Sequence, residues 1–253
     1  MAIAYTNNIV NILAFGAVGD GVTDDTTAIQ SALDYAKLNG FPVFAPAGTY
    51  AHSNIITVDG VKLFGEGFNT ILKSTNTSGT SPNNSIKVTG SSPSLQDLKV
   101  MSSWVGTRQS NINAHAVQIN AATSFKIDNV YVEVSAASGI FTTGSSKGAI
   151  KGARVENTLA DGIHTTGGSY EIIVTNNNVY NTGDDAISVV SYNTDASICK
   201  EISILSNSVK EGTARGLSVI GGDKVKIFQN SIQDFNLSGV YIASESGFNT
   251  NSV

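Results

Sequence analysis

The sequence predicts an all-β protein built as a parallel β-helix, a solenoid of stacked coils, with a capping α-helix at its N-terminal end. Three observations lead to this prediction. The composition is rich in turn-forming residues, one amphipathic helix lies near the start, and a unit of about 24 residues recurs from Phe125 onward.

The composition limits the possible functions. Only 14% of the 253 residues are charged and the net charge is −5, so the chain has no cationic field to hold nucleic acid. One Cys and three His provide neither a zinc cluster nor an intramolecular disulfide. No window reaches the roughly 18 apolar residues of a membrane span, and no signal peptide opens the chain. We therefore expect no nucleic-acid partner, no membrane insertion, no metal and no cofactor.

The first predicted element is a helix over residues 24–37. Its apolar stripe consists of Ile29, Ala32, Leu33 and Ala36. Thr23 or Asp24 is expected to cap the N-terminus, Asp25 complements the helix dipole, and Gly40 follows the C-terminus. Because only one face is apolar, the helix must cover another part of the molecule.

Strand-like runs follow the helix, in "FPVFAPAGTY" and "GVKLFGEG", where short apolar stretches alternate with Gly and Pro. The chain is therefore divided into an N-terminal segment with the capping helix, 1–42, and a β-helix, 43–253. The sequence stops just after another coil, without a capping helix. An uncovered strand edge recruits other chains, so we expect either a fragment or a C-terminal end covered by a partner.

Two aligned features define the repeat. Five segments each end on an apolar anchor, and three of them carry Asn two residues earlier. The anchors are Val130, Val155, Val179, Val209 and Ile232, and the asparagines are Asn177, Asn207 and Asn230. Asn tolerates left-handed backbone and can form a side-chain ladder along a stack. We therefore expect these three residues to lie one above another.

The second feature is a small residue followed by an aliphatic one. It occurs at Gly139-Ile140, Gly162-Ile163, Ala186-Ile187, Gly216-Leu217 and Gly239-Val240. The intervals are 162−139=23, 186−162=24, 216−186=30 and 239−216=23. Such a unit fits one coil of a parallel β-helix, in which strands of successive coils pair at roughly 4.8 Å. The longer interval contains "SYNTDASICK", which is predicted to be a loop.

The repeat brings charged residues into one column. The residue before each small position is Ser138, Asp161, Asp185, Arg215 and Ser238 in successive coils. Asp161, Asp185 and Arg215 are therefore predicted to stack, with Asp184 beside them. In the following strand, alternate residues point outward on the same face. These are Phe141, His164, Ser188, Ser218 and Tyr241.

Carboxylates held one coil apart raise each other's proton affinity. One carboxyl group can then stay protonated while its neighbours are ionised. Cleavage of a glycosidic bond needs both forms, a carboxylic acid that protonates the leaving oxygen and carboxylates that activate water. Phe141 and Tyr241 are candidates for stacking on sugar rings. Arg215 is the only cation among the residues predicted to share this outward face. The structural alternative is that Asp beside Gly simply forms turns.

Other motifs carry less information. Asp20, Asp24 and Asp25 lack the order of a calcium loop and are better explained by a turn and a helix cap. His52 and His115 have no metal-like spacing. Trp104 lies in the polar segment "SSWVGTRQSN", where it is either a sugar platform or buried against the coil.

Two stretches resemble known families. "FGAVGDGVTDDTTAIQSAL" with "FPVFAPAGTY" is similar to the N-terminal cap of the pectate-lyase-like superfamily, which includes phage tailspikes and polysaccharide depolymerases. "DGI" at 161–163, "GDDAI" at 183–187 and "RGLS" at 215–218 resemble the catalytic motifs of the polygalacturonase family of glycoside hydrolases. That resemblance implies that Asp184 is the general acid and that Asp161 and Asp185 activate water in an inverting reaction.

The motifs also depart from that family. Arg215 replaces its His, and its Arg-x-Lys, which grips a uronate carboxylate, would fall at Tyr241 and Ala243 and is missing. Polygalacturonate is therefore a poor substrate, whereas hydrolysis of another glycan remains open.

We therefore predict a right-handed parallel β-helix that acts as a glycoside hydrolase on a bacterial surface polysaccharide. The resemblance implies a phage tailspike, a homotrimer and a virion or extracellular location. The catalytic residues would be Asp161, Asp184 and Asp185. The substrate-binding residues would be His164, Ser188, Arg215, Ser218 and Tyr241. A lyase or epimerase on a uronic-acid polymer and a non-enzymatic glycan-binding adhesin remain alternatives.

Overall fold

The computed structural model describes residues 5–6, 8–77, 85–245 and 247–253, and it forms a parallel β-helix. Apart from short 3-10 turns, its one helix in the described ranges is Thr26–Asn39. No helix in these ranges is long and apolar enough to cross a membrane. The 3-10 turns are Ile12–Phe15, Gly67–Asn69 and Ile112–Ala114.

The strands form three sheets, one on each face of the solenoid, and the strands within each sheet run parallel. We name them sheets A, B and C. Sheet A contains Ile9–Asn11, Val43–Phe44, Lys62–Phe64, Ser146–Lys151, Tyr170–Thr175, Cys199–Leu205 and Lys226–Phe228. Sheet B contains Asp20–Asp24, Gly48–His52, Thr70–Ser74, Arg154–Thr158, Asn178–Thr182, Ser208–Gly212 and Ser231–Phe235. Sheet C contains Ile56–Asp59, Ile86–Ser91, Val117–Thr123, Ile140–Thr143, Ile163–Thr166, Ile187–Val190, Arg215–Ile220 and Ser238–Ala243.

Two long strands connect sheets A and B. Ser94–Ser102 and Lys126–Ser135 pair with sheet A through their first residues and with sheet B through their last. Each bends at a residue with left-handed backbone, Asp97 with φ 51° and Asn129 with φ 52°. Asn and Asp adopt this conformation more readily than most residues. Two short strands remain, Tyr5–Thr6, which pairs antiparallel with Ile9–Asn11, and Gly222–Asp223, which pairs with Cys199 and Lys200.

The observed register confirms the repeat and corrects its first unit. Val155, Val179, Val209 and Ile232 pair in series as predicted, but the residue that pairs with Val155 is Val132, not Val130. Gly139 lies seven residues after Val132, the same spacing as in the later units. The apparent irregularity of the first unit was therefore an alignment error of two residues, which in a strand keeps the same face.

The capping helix is confirmed, and it begins two residues later than predicted. Its apolar stripe is fully buried, and Gly40 ends it with φ 70°. Asp25 does more than complement the dipole, because its buried carboxylate accepts the N–H groups of Val18 and Gly19 at 2.7 and 3.1 Å. Val10 already pairs in parallel with Val43, so the coil stack starts ahead of the predicted boundary at residue 43.

The predicted asparagine ladder is present inside a turn. Asn207 Oδ1 accepts the backbone N–H and the Nδ2 of Asn177 at 3.0 and 2.9 Å, and Asn230 Oδ1 accepts the same two groups of Asn207 at 2.9 Å each. The left-handed residue is the one before each asparagine, for example Asn176 with φ 55°. The turn thus combines a left-handed residue with a ladder asparagine directly after it.

Candidate active site

Three aspartates converge where the chain enters sheet C. Ile163 pairs with Ile187, which places Asp161 directly below Asp185 in adjacent coils. Asp184 precedes Asp185 in the same turn. One carboxylate oxygen from each aspartate lies within 4.8 Å of the others. The predicted vertical alignment is confirmed, and it brings together carboxylates that are more than 20 residues apart in the chain.

Gly162 allows the coils to approach at this point. A Cβ on Gly162 would lie 2.3 Å from Val179 Cγ1 and 2.6 Å from the Ala186 carbonyl oxygen, closer than real Cβ contacts. The Gly162 N–H donates to the Asp185 carbonyl at 3.0 Å, and the Ala186 N–H donates to the Arg215 carbonyl at 2.8 Å. The column of small residues predicted from the repeat therefore allows the close approach of the backbone segments that carry the aspartates.

Asp161 and Asp185 repeat one hydrogen-bonding pattern. Each accepts, at 3.0 Å, the backbone N–H of the equivalent residue in the next coil, Asp185 and Arg215 respectively. Asp161 Oδ2 also lies 2.6 Å from His164 Nδ1. Asp185 Oδ2 accepts the Ser218 hydroxyl at 2.6 Å and contacts Arg215 Nη1 at 3.4 Å. Both carboxylates are thus held in one orientation.

Asp184 has a different environment. Its side chain is 31% exposed, compared with 10% for Asp161 and 5% for Asp185. Its Oδ2 accepts a hydrogen bond from Arg108 Nη1 at 2.6 Å. Asp184 is therefore the carboxylate that an incoming sugar reaches most easily.

The environment of Asp185 changes its acidity. Burial raises the pKa of Asp185, and the neighbouring Asp161 and Asp184 carboxylates add to this effect, against the opposing influence of Ser218 and Arg215. A carboxylate with a raised pKa is a stronger base than a free one.

Replacing Asp185 by Asn is expected to preserve or increase stability at pH 7. Because the folded-state pKa is raised, Asp185 favours folding below its ordinary pKa of 3.8, and this contribution is lost as the pH rises through the folded value. The Asn side chain does not ionise, so the variant does not lose stability as the pH rises. Its amide oxygen can still accept the Arg215 backbone N–H. Urea unfolding should show a higher or equal midpoint at pH 7 and no advantage at pH 3. A variant clearly less stable than wild type at pH 7 would contradict this.

Two predicted substrate-binding serines lie behind the aspartates. Ser188 is 1% exposed and Ser218 is fully buried. The Ser188 hydroxyl lies 2.8 Å from His164 Nδ1, and the Ser218 hydroxyl donates to Asp185. The expectation that both face the solvent was wrong, because both hydroxyls are turned to side chains of the site, Ser188 to His164 and Ser218 to Asp185. Their contacts make them supports for His164 and Asp185.

Four aromatic rings beside the aspartates form a stack. His115, Phe141, His164 and Tyr192 follow one another with centroids 4.0, 5.2 and 6.3 Å apart and planes within 16° of parallel. Both faces of Phe141 are covered by imidazoles, so it cannot stack on a sugar as predicted. Tyr241 carries the Arg215 guanidinium 4.2 Å above its ring, and its hydroxyl donates to Glu245.

His115 belongs to the site although it lies in no recognisable motif. Its Nδ1 accepts the Ser138 N–H at 3.1 Å, which leaves the ring proton on Nε2. Burial, with the neighbouring His164 as the second cause, lowers the pKa of His115 to about 3. The ring is therefore neutral in ordinary buffers and lines the cleft as a hydrogen-bond donor.

A long loop, 103–116, covers one side of the aspartates. Trp104 is 5% exposed, packs with Ala114, Ala136 and Ala137, and donates from Nε1 to the Thr107 carbonyl at 3.0 Å. Of the two possibilities for Trp104, burial is correct. The loop carries Arg108 to Asp184, so Arg215 is not the only cation at the site.

Two adjoining cavities flank the aspartates, with volumes of about 490 and 170 Å³. The larger is lined by His115, Phe141 and loop residues, and the smaller by Asp184, Asp185 and Arg215. The residues common to both are Arg108, Asp161, His164 and Tyr192. The larger cavity lies in the usual size range of small-molecule sites.

Three carboxylate oxygens this close suggest a cation site. However, each of the three carboxylates already accepts from a donor group of the protein. Asp161 already pairs with His164, Asp184 with Arg108, and Asp185 with Arg215 and Ser218. Donors that carry protons or positive charge compete with a metal for the same oxygens. The sequence-based expectation of no metal stays a prediction.

Comparisons with known proteins place this geometry in context. A curated glucan 1,3-beta-glucosidase of Cochliobolus carbonum is 38% identical over 79 residues, 31% of this chain and 10% of that protein. Mannuronan C5-epimerase AlgE5 of Azotobacter vinelandii is 56% identical over 41 residues, 16% of this chain and 4% of that protein. The chain thus spans a tenth or less of these relatives.

Solved structures share the fold. The Agl-KA catalytic domain superposes with a TM-score of 0.75 at 22% identity, covering 96% of this chain and 49% of that one. The GH87 alpha-1,3-glucanase catalytic unit of Streptomyces thermodiastaticus gives 0.74 at 20%, covering 95% and 43%. The N-terminal fragment of bacteriophage Phi29 gene product 12 gives 0.64 at 17%, covering 90% and 43%. The chain spans about half or less of each.

The family itself is defined by sequence. A family model described as "Rhamnogalacturonase A/epimerase, pectate lyase-like" matches residues 9–217, most of the chain. This range includes the capping helix, Asp161, the Asp184-Asp185 pair and the first three residues of the strand Arg215–Ile220. The predicted resemblance to pectate-lyase-like proteins is confirmed, and the chain belongs to the rhamnogalacturonase A/epimerase, pectate-lyase-like family.

Proposed function

We propose that this protein is a glycoside hydrolase that depolymerises a bacterial surface polysaccharide. The observation that carries the proposal is the convergence of Asp161, Asp184 and Asp185 beside two cavities, with one carboxylate exposed and two buried. Hydrolysis of a glycoside needs a carboxylic acid for the leaving oxygen and a carboxylate that activates water.

The different environments suggest the roles. Asp184, the exposed carboxylate, protonates the glycosidic oxygen. Asp161 and Asp185 together hold the water, because two oxygens within 4.8 Å can share one water at about 2.8 Å from each. The raised pKa of Asp185 strengthens it as the base. Ser188 and Ser218 keep His164 and Asp185 in place, while His164, Arg215 and Tyr241 border the sugar.

The stereochemical outcome needs its own test. Inverting glycosidases usually separate acid and base by roughly 6.5–9.5 Å, and retaining ones by about 5–5.5 Å. One oxygen of each aspartate here lies within 4.8 Å of the others, so the separation by itself does not favour inversion. We propose inversion, as the similarity to polygalacturonases implies. NMR of the first product should show the opposite anomer to that of the substrate, and a retained anomer would exclude this mechanism.

Related proteins support the choice of reaction and setting. The solved structures that share this fold include alpha-1,3-glucanases, the phage protein gene product 12 and ORF18 of Geobacillus virus E2. We propose that the protein belongs to a phage tailspike, as a homotrimer in the virion or in an extracellular setting. Sedimentation equilibrium tests the trimer, since a monomer at micromolar concentration would refute it.

Epimerisation or elimination on a uronic-acid polymer is the second candidate. Two observations favour it, the local identity with mannuronan C5-epimerases and the second arginine, Arg108, at the site. A cation can neutralise the uronate carboxylate in such chemistry. Hydrolysis ranks first because three carboxylates supply both an acid and a base.

The deciding experiment incubates the protein with a panel of capsular and O-antigen polysaccharides. Hydrolysis gives shorter chains and new reducing ends without the absorbance of a conjugated enoate. Enoate absorbance would establish a lyase, and an intact polymer with altered uronate configuration an epimerase. An intact, unaltered polymer that still binds the protein would favour the adhesin.

A further inference from the structure

We propose that Arg108 is a positioning residue that acts through Asp184, and that the Arg108–Asp184 ion pair must open when a sugar enters the site. This rests on the proposed hydrolase function. Arg108 belongs to none of the repeated motifs, and its guanidinium reaches Asp184 from a loop 76 residues away in the chain.

The loop that carries Arg108 is anchored on both sides of this residue, whereas the Arg108 side chain is half exposed. Trp104 is buried, and the Gln109 N–H donates to the Ala136 carbonyl at 2.8 Å. Between these anchors Arg108 is 53% exposed, and Asp184 is its salt-bridge partner among the described residues. The half-exposed contact is of the kind that exchanges partners at small cost.

The position of the ion pair conflicts with proton delivery. Asp184 Oδ2 accepts a hydrogen bond from Arg108 at 2.6 Å, and Arg108 lines both cavities. An oxygen that accepts from a guanidinium cannot donate a proton to a glycosidic oxygen in the same direction. A sugar whose glycosidic oxygen approaches Asp184 Oδ2 from the cavities therefore displaces Arg108 from that oxygen.

Displacement also changes the charge balance at Asp184. The other groups around the smaller cavity are Asp161, His164, Asp185, Tyr192, Arg215 and Glu245. Asp161 is paired with His164, and Asp185 with Arg215. When Arg108 leaves, Asp184 loses the cation that contacts it, and its Oδ2 becomes free to meet the glycosidic oxygen.

The kinetic test compares Arg108→Gln and Arg108→Lys with wild type on a cleaved polysaccharide. Arg108→Gln should lower kcat by about tenfold with KM unchanged or lower, because Asp184 loses the contact that holds it while no ion pair has to open when the sugar binds. Arg108→Lys should keep most of the wild-type kcat. The control is Arg154→Gln, which removes a comparably exposed arginine paired with Glu156 on sheet B and should leave kcat and KM unchanged.

Two kinetic results would overturn the proposal. An unchanged kcat in Arg108→Gln would mean that Arg108 does not position Asp184. A raised KM would mean that Arg108 binds the sugar directly.

A second measurement needs no substrate. In the empty protein, Asp184→Asn and Arg108→Gln should each speed amide hydrogen exchange in residues 105–112 by up to about fivefold, and the double variant no further. Unchanged exchange in Asp184→Asn would show that the pair does not hold the loop. Failure of wild type to cleave any polysaccharide would refute the proposed function and leave this exchange result as the measure of the ion pair.

Discussion

Replacing Asp184 by Asn is expected to lower kcat by about a thousandfold without unfolding the protein. The loss follows because a general acid contributes roughly 10²–10⁴-fold, and an amide has no proton of suitable acidity for the leaving oxygen. The fold should tolerate the change, since the Asp184 side chain is 31% exposed and its recorded side-chain contact is with Arg108. The measurement is the rate of reducing-end release from the polysaccharide that wild type cleaves.

Asp128→Asn is the matched control. Asp128 is 29% exposed and pairs with Lys126 at 2.8 Å, so it reproduces the exposure and ion pairing of Asp184 on sheet A, away from the site. It should keep the full rate. If Asp184→Asn also kept the full rate with an unchanged circular dichroism spectrum, Asp184 would have no role in the chemistry.

Replacing Asn207 by Ala is expected to cause the largest loss of stability, about 4 kcal/mol. The side chain is 2% exposed and makes four hydrogen bonds. Its loss leaves the Asn177 N–H and the Val174 carbonyl without these partners in a buried turn. Each such orphaned group costs about 1–3 kcal/mol. Urea unfolding at neutral pH gives the free energy directly.

Asn236→Ala provides the comparison, because Asn236 is exposed in the last coil. Its free energy of unfolding should stay within about 0.5 kcal/mol of wild type. An equal, small effect of both substitutions would show that the ladder contributes little to the stability of the stack.

The features that repeat were predictable from the sequence. A β-helix places equivalent residues of successive coils above one another, so the spacing of small and aliphatic residues was enough to align Asp161 with Asp185 and Ile163 with Ile187. The asparagine ladder followed from the same spacing. The error at Val130 kept the correct strand face because a shift of two residues preserves side-chain direction.

The features that do not repeat were missed. Loop 103–116 is not part of the repeated unit, so nothing in the sequence placed Arg108 against Asp184 or His115 against Phe141. The burial of Ser188 and Ser218 was missed for a related reason, because alternation tells which face a side chain takes but not which side chains cover it. A polar loop with a tryptophan was the one available signal, since a Trp in such a segment often anchors it to the core.

The central claim is that coil stacking makes Asp161 and Asp185 act as one unit on the same water. Reducing-end release by Asp161→Asn, Asp185→Asn and the double variant tests it most directly. Residues that act together are not additive, so the double variant should be about as slow as the slower single variant. Full activity in either single variant, or a double variant whose loss equals the product of the two single losses, would contradict the claim.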